Sequence, residues 1–223
     1  MLKTKDLYSF EHSLAGEWLK NFEYPWQALK GISELIVQLQ KDLSRNEYIE
    51  REPGVFVHVS AKIADTAFLG APCIIGEDTE VRPGAFIRGN ALVGRHCVVG
   101  NSTELKNVIL FDHVQVPHYN YVGDSILGCY AHMGAGSITS NVKSDKTNVV
   151  IVEGEHRMET GLKKVGAMLG DHVEVGCNSV LNPGTIVGKN TNIYPLSCVR
   201  HTIPANHIYK DADHIVKKKQ NDD

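Results

Sequence analysis

An apolar residue recurs at every sixth position over much of the chain, and this period constrains the fold more than any other feature. The series begins at Val57 and runs to Leu105 without a miss. It resumes over 127–133 and again over 169–199. A period of six fits neither the 3.6-residue turn of a helix nor the two-residue alternation of a strand. It is typical of a short strand and a turn repeated around a prism, so it predicts a solenoid.

Small residues form a second series in the same register. Four residues after each of the first eight apolar positions come Ala61, Ala67, Cys73, Thr79, Ala85, Ala91, Cys97 and Thr103. We expect the apolar side chains to point inward at each wall and the small ones to pack near the corners, where little room remains. Cys73 and Cys97 are therefore predicted core residues. With five cysteines and no Cys-x-x-Cys pair, the chain suggests neither a disulfide framework nor a zinc knuckle.

The six-residue pattern resembles the hexapeptide-repeat proteins, in which three repeats make one coil of a left-handed parallel β-helix. The resemblance implies an all-β solenoid of this class with a small N-terminal helical segment. We expect a helical cap over 1–50 and the β-helix over 51–204, with an excursion at 140–168. Residues 205–223 are predicted to form a C-terminal tail.

The N-terminal segment has the apolar spacing of an amphipathic helix. Its three-four pattern is carried by Leu29, Ile32, Ile36, Leu39 and Leu43. We expect these helices to cover the open first coil. The alternative is a partner-binding helix pair in which Phe22, Tyr24 and Trp26 form an exposed anchor.

Two stretches depart from the period. Residues 107–126 slip out of register, and residues 140–168 form an excursion with a hairpin-like pattern over 149–152 and 156–160. Function in solenoid proteins tends to lie at such interruptions.

The first interruption contains a histidine with polar neighbours. His118 is followed by Tyr119, Asn120 and Tyr121. An imidazole can accept a proton near neutral pH, and tyrosine and asparagine groups can orient a polar substrate, so the pattern suits general-base catalysis. The alternative is a solvated or hydrogen-bonded loop histidine.

The motif His118-x-x-Tyr121-x-Gly123-Asp124 resembles the acetyltransferase domain of the bifunctional glucosamine-1-phosphate acetyltransferase/UDP-N-acetylglucosamine pyrophosphorylases. It is also similar to the carboxy-terminal domain of archaeal sugar-1-phosphate nucleotidylyltransferases. The resemblance implies that His118 is the catalytic base and that Tyr121 contacts the substrate.

Further substrate-binding residues follow from the same resemblance. Asn141 matches an asparagine that holds the amino sugar. His132 stands where the bacterial enzymes have a second asparagine, and Lys146 matches their substrate lysine approximately, with Lys143 close by.

Arg88 and Lys106 form a candidate anion site. Each follows an inward apolar residue, and they are 18 residues apart, so we expect them to stack in adjacent coils about 4.8 Å apart. Two stacked cations repel unless an anion lies between them. In the resembling family this pair binds the phosphate-bearing end of the amino sugar. The alternative is a solvated face on which Glu80 or Glu104 partners the cations.

The acyl donor implied by the resemblance is acetyl-CoA, with no metal required. A backbone amide in the Gly134-Ala135-Gly136 turn, with Ala135 at its centre, is the candidate oxyanion donor. Cys177 and Ser179 are expected near the acyl donor. The lysine run 217–219 either reaches its phosphates or belongs to a disordered tail. The resemblance also implies a homotrimer with sites between neighbours.

These features predict an acetyl-CoA-dependent N-acetyltransferase acting on an amino-sugar phosphate or a nucleotide-linked amino sugar. The first 50 residues cannot hold a nucleotidyltransferase domain, so we expect no pyrophosphorylase activity. One alternative is a non-catalytic module that binds a sugar nucleotide or a partner protein. A remote alternative is a zinc enzyme resembling the γ-type carbonic anhydrases, which use three histidines across a subunit interface. In that alternative His113 and His118 have the spacing of two ligands, and His96 is the third.

Charge and hydropathy narrow the partners and the location. A net charge of −3 provides no basic field for nucleic acid, and no polybasic amphipathic segment suits a membrane surface. No apolar run approaches the length of a membrane span, and the first residues lack the apolar core of a secretory signal. The sequence therefore predicts a cytoplasmic protein.

Overall fold

Most strands of the chain stack in parallel around a prism with three walls, here called walls A, B and C. The computed structural model describes residues 1–219. Lys62, Glu80 and Val98 are paired neighbours in successive coils, so one coil takes 18 residues there. The predicted class, an all-β left-handed parallel β-helix with a small helical N-terminal segment, is confirmed.

The strands of each wall follow the order of the coils. Wall A contains Val55–His58, Cys73–Ile75, Ala91–Val93, Ala167–Leu169, Thr185–Val187 and Thr202–Ile203. Wall B contains Lys62–Ile63, Glu80–Val81, Val98–Asn101, Gln115–His118, His132–Met133, Glu174–Val175, Asn192–Ile193 and His207–Tyr209. Wall C contains Phe68–Leu69, Phe86–Ile87, Ile138–Thr139, Val180–Leu181 and Cys198–Val199. Two longer strands, Glu104–Leu110 and Tyr121–Leu127, begin on wall C and continue onto wall A.

The interior is filled as the two sequence series predict. From Ile75 onward, the apolar positions of the period are at most 3% exposed, whereas Ile63 and Leu69 in the first coil are only half-buried. Cys73 and Cys97 are buried, which confirms their placement in the core. Hydroxyls in the small-residue positions bond to backbone carbonyls, as Thr103 does to Val116. These bonds satisfy polar groups that water cannot reach.

The stretch 107–126 lies within the prism, and its predicted slip of register is confirmed. Val98, Gln115 and His132 pair in successive coils, which makes two consecutive coils 17 residues long. The missing residue lies where the chain passes from wall C to wall A: the inward residues there are Leu105 and Leu110, and again Val122 and Leu127. The strand therefore runs around this corner without a break.

Short helices occupy the N-terminal segment. They are the α-helices Thr4–Leu7, Gly16–Leu19 and Ile32–Asp42 and the 3₁₀ helices Phe10–His12 and Pro25–Gly31. The longest, Ile32–Asp42, contacts the wall A strands Cys73–Ile75 and Ala91–Val93 and the long strand Glu104–Leu110.

Wall A needs this cover because its outer face is apolar. Strand alternation turns one residue of each wall A strand outward. In the six successive strands from Cys73–Ile75 to Thr185–Val187 they are Ile74, Leu92, Ile109, Ile126, Met168 and Ile186, all at most 1% exposed. The helices therefore lie along the side of the prism and not over its open end, contrary to expectation. The first coil is instead flanked by the antiparallel strand Tyr48–Glu52.

The proposed aromatic anchor is not exposed. Trp26 is 3% exposed, and its ring stacks on that of Tyr24 at 4.8 Å. Phe22 packs edge-on against Trp18. These aromatic residues stabilise the helical segment against the prism.

The excursion contains the expected hairpin. Val150–Glu153 pairs antiparallel with His156–Glu159. Val149 and Ile151 are fully buried, and a Cβ on Gly184, whose φ is +80°, would come within 2.7 Å of Val149. The hairpin therefore packs closely against the prism.

The C-terminal segment continues wall B. Strand His207–Tyr209 joins this wall, and Ile215–Lys217 pairs antiparallel with it, so Lys217 lies in a strand and not in a disordered tail. Residues 220–223 of the predicted tail lie outside the described residues. No helix within 1–219 is long and apolar enough to cross a membrane.

A buried carboxylate connects the N-terminal segment to the prism. Asp171 is 2% exposed and accepts hydrogen bonds from the Ser9 amide and hydroxyl, at 2.8 and 2.7 Å. It also accepts one from the Cys129 amide and forms an ion pair with Lys189 at 2.7 Å.

Replacing this carboxylate is expected to destabilise the protein. Asp171→Ala should lower the free energy of unfolding by about 3 kcal/mol, because hydrogen bonds to a charged group contribute about 1.5–3 kcal/mol each. Ser9→Ala, which leaves the carboxylate in place, should cost about 1 kcal/mol. Urea denaturation measures both. An Asp171→Ala cost no larger than that of Ser9→Ala would contradict this role.

The five cysteines should divide into two reactivity classes. Burial raises the pKa of the Cys73, Cys97 and Cys129 thiols to about 12, whereas Cys177 and Cys198 are exposed. Because the thiolate is the reactive form, a disulfide reagent at pH 8 should modify two thiols quickly in the native protein and all five after unfolding. The double variant Cys177→Ser/Cys198→Ser should show no fast phase. A third fast thiol in the native protein would show that the core packing is wrong.

Candidate functional site

His118 stands at the corner between walls B and C. It ends the strand Gln115–His118, and Tyr119, with φ of 52°, turns the chain toward the strand that begins at Tyr121. The His118 side chain is exposed, and its imidazole makes no hydrogen bond within residues 1–219. Both ring nitrogens are therefore available to a ligand.

The backbone of His118 is held by a buried asparagine. The His118 amide donates to Asn120 Oδ1 at 3.1 Å. Asn120 Nδ2 in turn donates to the carbonyls of Gly134 and Ser137, at 2.9 and 3.1 Å. Asn120 is 2% exposed, so it does not orient substrate as the sequence suggested. It fixes the position of His118 relative to the 134–137 turn.

Ala135 lies in this turn, one coil above His118. The amide of the next residue, Gly136, donates to the His118 carbonyl at 3.0 Å. The Ala135 amide donates to no acceptor in the described part of the chain, and Ala135 is half-buried. An amide in this position is available to stabilise a negative oxygen.

The two residues predicted beside the acyl donor are differently placed. Cys177 is exposed and lies next to Ala135 in the following coil, where the amide of Asn178 bonds to the Ala135 carbonyl at 2.8 Å. Ser179 is fully buried, and its hydroxyl donates to the Tyr194 carbonyl at 3.1 Å. The prediction for Ser179 is wrong because it occupies the small-residue position, four residues after Val175.

Arg88 and Lys106 occupy the same edge of wall C, in adjacent coils. The pairing of Ile87 with Leu105 confirms the predicted stacking. Each cation has its own carboxylate partner: Arg88 bonds to Glu104 at 2.8 Å, and Lys106 to Asp124 at 2.9 Å. Mutual repulsion therefore does not by itself require an anion between them. This agrees with the alternative in which Glu104 is the partner of Arg88.

Asp124 is the centre of a hydrogen-bond network that the sequence analysis missed. Its side chain is 5% exposed and accepts from Lys106, from Asn107 at 2.9 Å and from Asn141 at 2.5 Å. The Asn141 amide nitrogen also bonds to the Tyr121 hydroxyl at 3.2 Å. One buried carboxylate therefore orients both a candidate cation and a candidate amide. The sequence signal that could have identified Asp124 was its position at the end of the His-x-x-Tyr-x-Gly-Asp motif.

Tyr121 crosses wall C from the His118 corner toward Asn141. A Cβ on Gly123 would lie 2.5 Å from the Tyr121 hydroxyl and 3.0 Å from Asn141 Nδ2, so the motif glycine leaves room for this contact. Burial raises the pKa of Tyr121, and the carboxylates of Asp124 and Glu104 add to the effect. The phenol thus stays neutral and keeps its proton for a ligand.

Two predicted substrate residues do not join this cluster. His132 lies on wall B, opposite Gln115, and its Nδ1 is 2.8 Å from Glu174. Lys146 is exposed in a turn of the excursion, where its amide bonds to the Lys143 carbonyl, and its side chain makes no hydrogen bond within the described chain. Lys143 itself bonds to Thr147 and Asp145.

The three histidines of the zinc alternative do not converge in one chain. The rings of His96 and His113 stack at 4.9 Å at the corner of walls A and B. His118 is five residues further on, at the opposite end of wall B, roughly 16 Å away at about 3.3 Å per residue. Within residues 1–219 no group of three His, Cys, Asp or Glu residues is arranged to hold a metal ion.

Comparison with known proteins finds relatives over most of the chain. The family described as "GMPPB C-terminal domain" matches residues 71–175. A "Bifunctional protein GlmU" from Methanococcus maripaludis is 29% identical over 93% of this chain and 51% of its own length. A "Bifunctional sugar-1-phosphate nucleotidylyltransferase/acetyltransferase" from Sulfurisphaera tokodaii is 28% identical over 70% of this chain and 43% of its own length.

A solved structure, that of the polySia-specific acetyltransferase NeuO, aligns over 73% of this chain and 86% of that one, with 11% identity and a TM-score of 0.45. The chain spans about half the length of the curated relatives it matches. The resemblance expected from the hexapeptide period and the His-x-x-Tyr-x-Gly-Asp motif is thus confirmed: the chain folds as a β-helix and is similar in sequence to GlmU and sugar-1-phosphate nucleotidylyltransferase/acetyltransferase proteins.

Proposed function

We propose that the protein transfers the acetyl group of acetyl-CoA to the amine of an amino-sugar phosphate or a nucleotide-linked amino sugar. The observation that carries this proposal is the position of His118: its imidazole is exposed, its backbone is fixed by a buried asparagine, and it lies one coil from the Ala135 amide, which has no acceptor within residues 1–219. The names of the relatives, which include acetyltransferases of sugar phosphates, support the same reaction.

His118 acts as the general base. Its free ring nitrogen takes a proton from the amine as the nitrogen attacks the thioester carbonyl. A tetrahedral intermediate forms and then collapses, with loss of the coenzyme A thiolate, which takes up a proton. A positioned base contributes about 10²–10⁴ in rate.

Ala135 supplies the oxyanion donor. Its amide lies in the turn that hydrogen-bonds to the His118 backbone, and it donates to no acceptor among residues 1–219. A donor already in place stabilises the developing charge without reorganisation, which contributes about 10²–10³ in rate. The exposed surface beside Cys177, in the next coil, then accommodates the acyl donor.

The wall C network holds the amino sugar. The Tyr121 hydroxyl donates to a ring or hydroxyl oxygen, and the Asn141 amide carbonyl accepts from a sugar hydroxyl, since its nitrogen is already used. Arg88 and Lys106 bind the anionic end of the substrate. For this, the phosphate competes with Glu104 and Asp124, the carboxylates that neutralise the two cations in the free chain.

The protein is proposed to act as a homotrimer with the site between neighbours. On a single chain, His118 is exposed to water, whereas acyl transfer benefits from a site that excludes it. A neighbouring prism facing the corner of walls B and C would close the site.

Replacing His118 should abolish most acetyl transfer. With glucosamine 1-phosphate as substrate, His118→Ala should lower kcat by about 10²–10⁴-fold, because the variant loses the positioned base. Mass spectrometry of the acetylated sugar measures the rate. His156→Ala, which removes an exposed hairpin histidine, is the matched control and should keep the wild-type rate.

Two outcomes would contradict the proposal. A His118→Ala rate within twofold of the wild type would remove this residue from the mechanism. A wild-type protein that is stabilised by a sugar nucleotide in a thermal-shift assay, but not by acetyl-CoA, and that transfers no acetyl group would favour the non-catalytic module.

The trimer is tested by mass in solution. Light scattering should give three times the chain mass of 24.6 kDa, and dilution that dissociates the trimer should lower the activity per chain. A monomer mass at full activity per chain would show that one chain suffices.

A further inference from the structure

A cavity of about 470 Å³ lies between the excursion hairpin and the later coils of wall C. Ser140 lines it, and the next residue is Asn141 of the proposed sugar site. Asn182 and Arg200 line it from the two following coils. The cavity therefore begins beside the proposed sugar site and extends along the prism axis, away from Arg88 and Lys106. Its volume is within the range of about 300–1,000 Å³ that is usual for small-molecule sites.

The cavity is lined by cationic side chains, and most of them have no carboxylate partner within residues 1–219. Arg157 lines it from the hairpin, whereas Arg200 and His201 line it from the prism. No Asp or Glu is among its lining residues, and within residues 1–219 neither arginine makes a salt bridge or a side-chain hydrogen bond. Lys143, also in the lining, is the cation that has a partner, Asp145, at 3.3 Å. This contrasts with Arg88 and Lys106, which are both paired.

Unpaired guanidinium groups on opposite sides of one cavity suit phosphate groups. A guanidinium presents N–H donors in a planar fork that matches the oxygens of a phosphate. Two like charges in a cavity repel each other, and a bound polyanion removes this repulsion. A diphosphate has the charge and the length to contact a cation on each side.

The rest of the lining is apolar and suits a nucleoside. Val142, Val150, Val152 and Pro183 contribute a hydrocarbon surface beside the cations. Ser140, Ser144 and Asn182 add groups that can bond to base or ribose. A site for inorganic anions alone would have no need of the valine surface.

We propose that this cavity binds a nucleoside diphosphate group, with Arg157 and Arg200 on the phosphates and the valine and proline surface against the nucleoside. Two ligands of the proposed reaction carry such a group: a nucleotide-linked amino sugar, and coenzyme A, which contains an adenosine diphosphate. The assignment of the group to one of these ligands rests on the proposed function. The binding itself does not.

Calorimetric titration of the full chain with UDP, coenzyme A and inorganic pyrophosphate tests the proposal. The wild type should bind UDP or coenzyme A more tightly than pyrophosphate. Arg157→Ala and Arg200→Ala should each weaken this binding at least tenfold, and the double variant should abolish it. Arg51→Ala, which removes an exposed arginine from the strand that flanks the first coil, is the matched control and should bind as the wild type does. Thermal melts verify that each variant is folded.

The outcomes separate the two ligands. Arginine-dependent binding of UDP assigns the cavity to a nucleotide-linked sugar, and arginine-dependent binding of coenzyme A assigns it to the acyl donor. Three results would overturn the proposal. The double variant could bind the nucleotides as tightly as the wild type does, the wild type could bind pyrophosphate as tightly as the nucleotides, or the wild type could bind none of these ligands.

Failure here is distinguishable from failure of the proposed function. His118→Ala should keep the nucleotide affinity while losing acetyl transfer. If the wild type transfers no acetyl group but binds a nucleotide through the two arginines, only the proposed function is wrong. If acetyl transfer proceeds and the arginines do not affect binding, only the cavity assignment is wrong.

Discussion

The parallel stacking of one coil on the next is the constraint on which the rest of this structure depends. It places residues that are 17 or 18 positions apart in sequence in direct contact, whatever their local neighbours are. Inside the prism, this stacking builds the apolar core. On the outer face of wall C, it brings Arg88, Lys106 and the Asp124 network together. The side chains of the candidate site are thus held by a backbone whose register is fixed by the core.

The shortened corner between walls C and A gives the site its particular form. Where each of two coils loses one residue, Asn107 and Asp124 stand one above the other, both with positive φ, and bond at 2.9 Å. Asp124 is buried there and reaches Lys106 and Asn141 on the outer face. The shorter coils thus bring polar side chains together at the corner of walls C and A.

The sequence predicted the interior well because burial at each wall repeats with the coil. Ile75 and Cys97 lie as the six-residue and small-residue series require. Residues 107–126 slip out of this register because a fixed period of six cannot follow a coil of 17 residues. Ser179 is buried because it stands four residues after Val175, which is the small-residue position of the repeat.

Contacts between parts of the chain that are distant in sequence could not be predicted from the sequence alone. The outward apolar residues of wall A, such as Ile109 and Met168, give a signal only once the walls are known, so the helices were expected at the wrong surface. The carboxylate partners of Arg88 and Lys106 likewise depend on register. The sequence motif singled out His118 as the candidate base. The buried hydrogen bonds of Asn120 that hold the His118 backbone could not be predicted, because they depend on the three-dimensional packing.

The central claim is that the imidazole of His118 lies where an amino-sugar amine meets an acyl thioester. A crystal structure of the protein with coenzyme A and an amino-sugar phosphate tests this most directly. We expect the amine nitrogen to lie about 2.6–3.2 Å from a His118 ring nitrogen, and the coenzyme A sulfur to lie close to the Ala135 amide. An amino sugar bound away from this corner, with His118 still facing water, would contradict it.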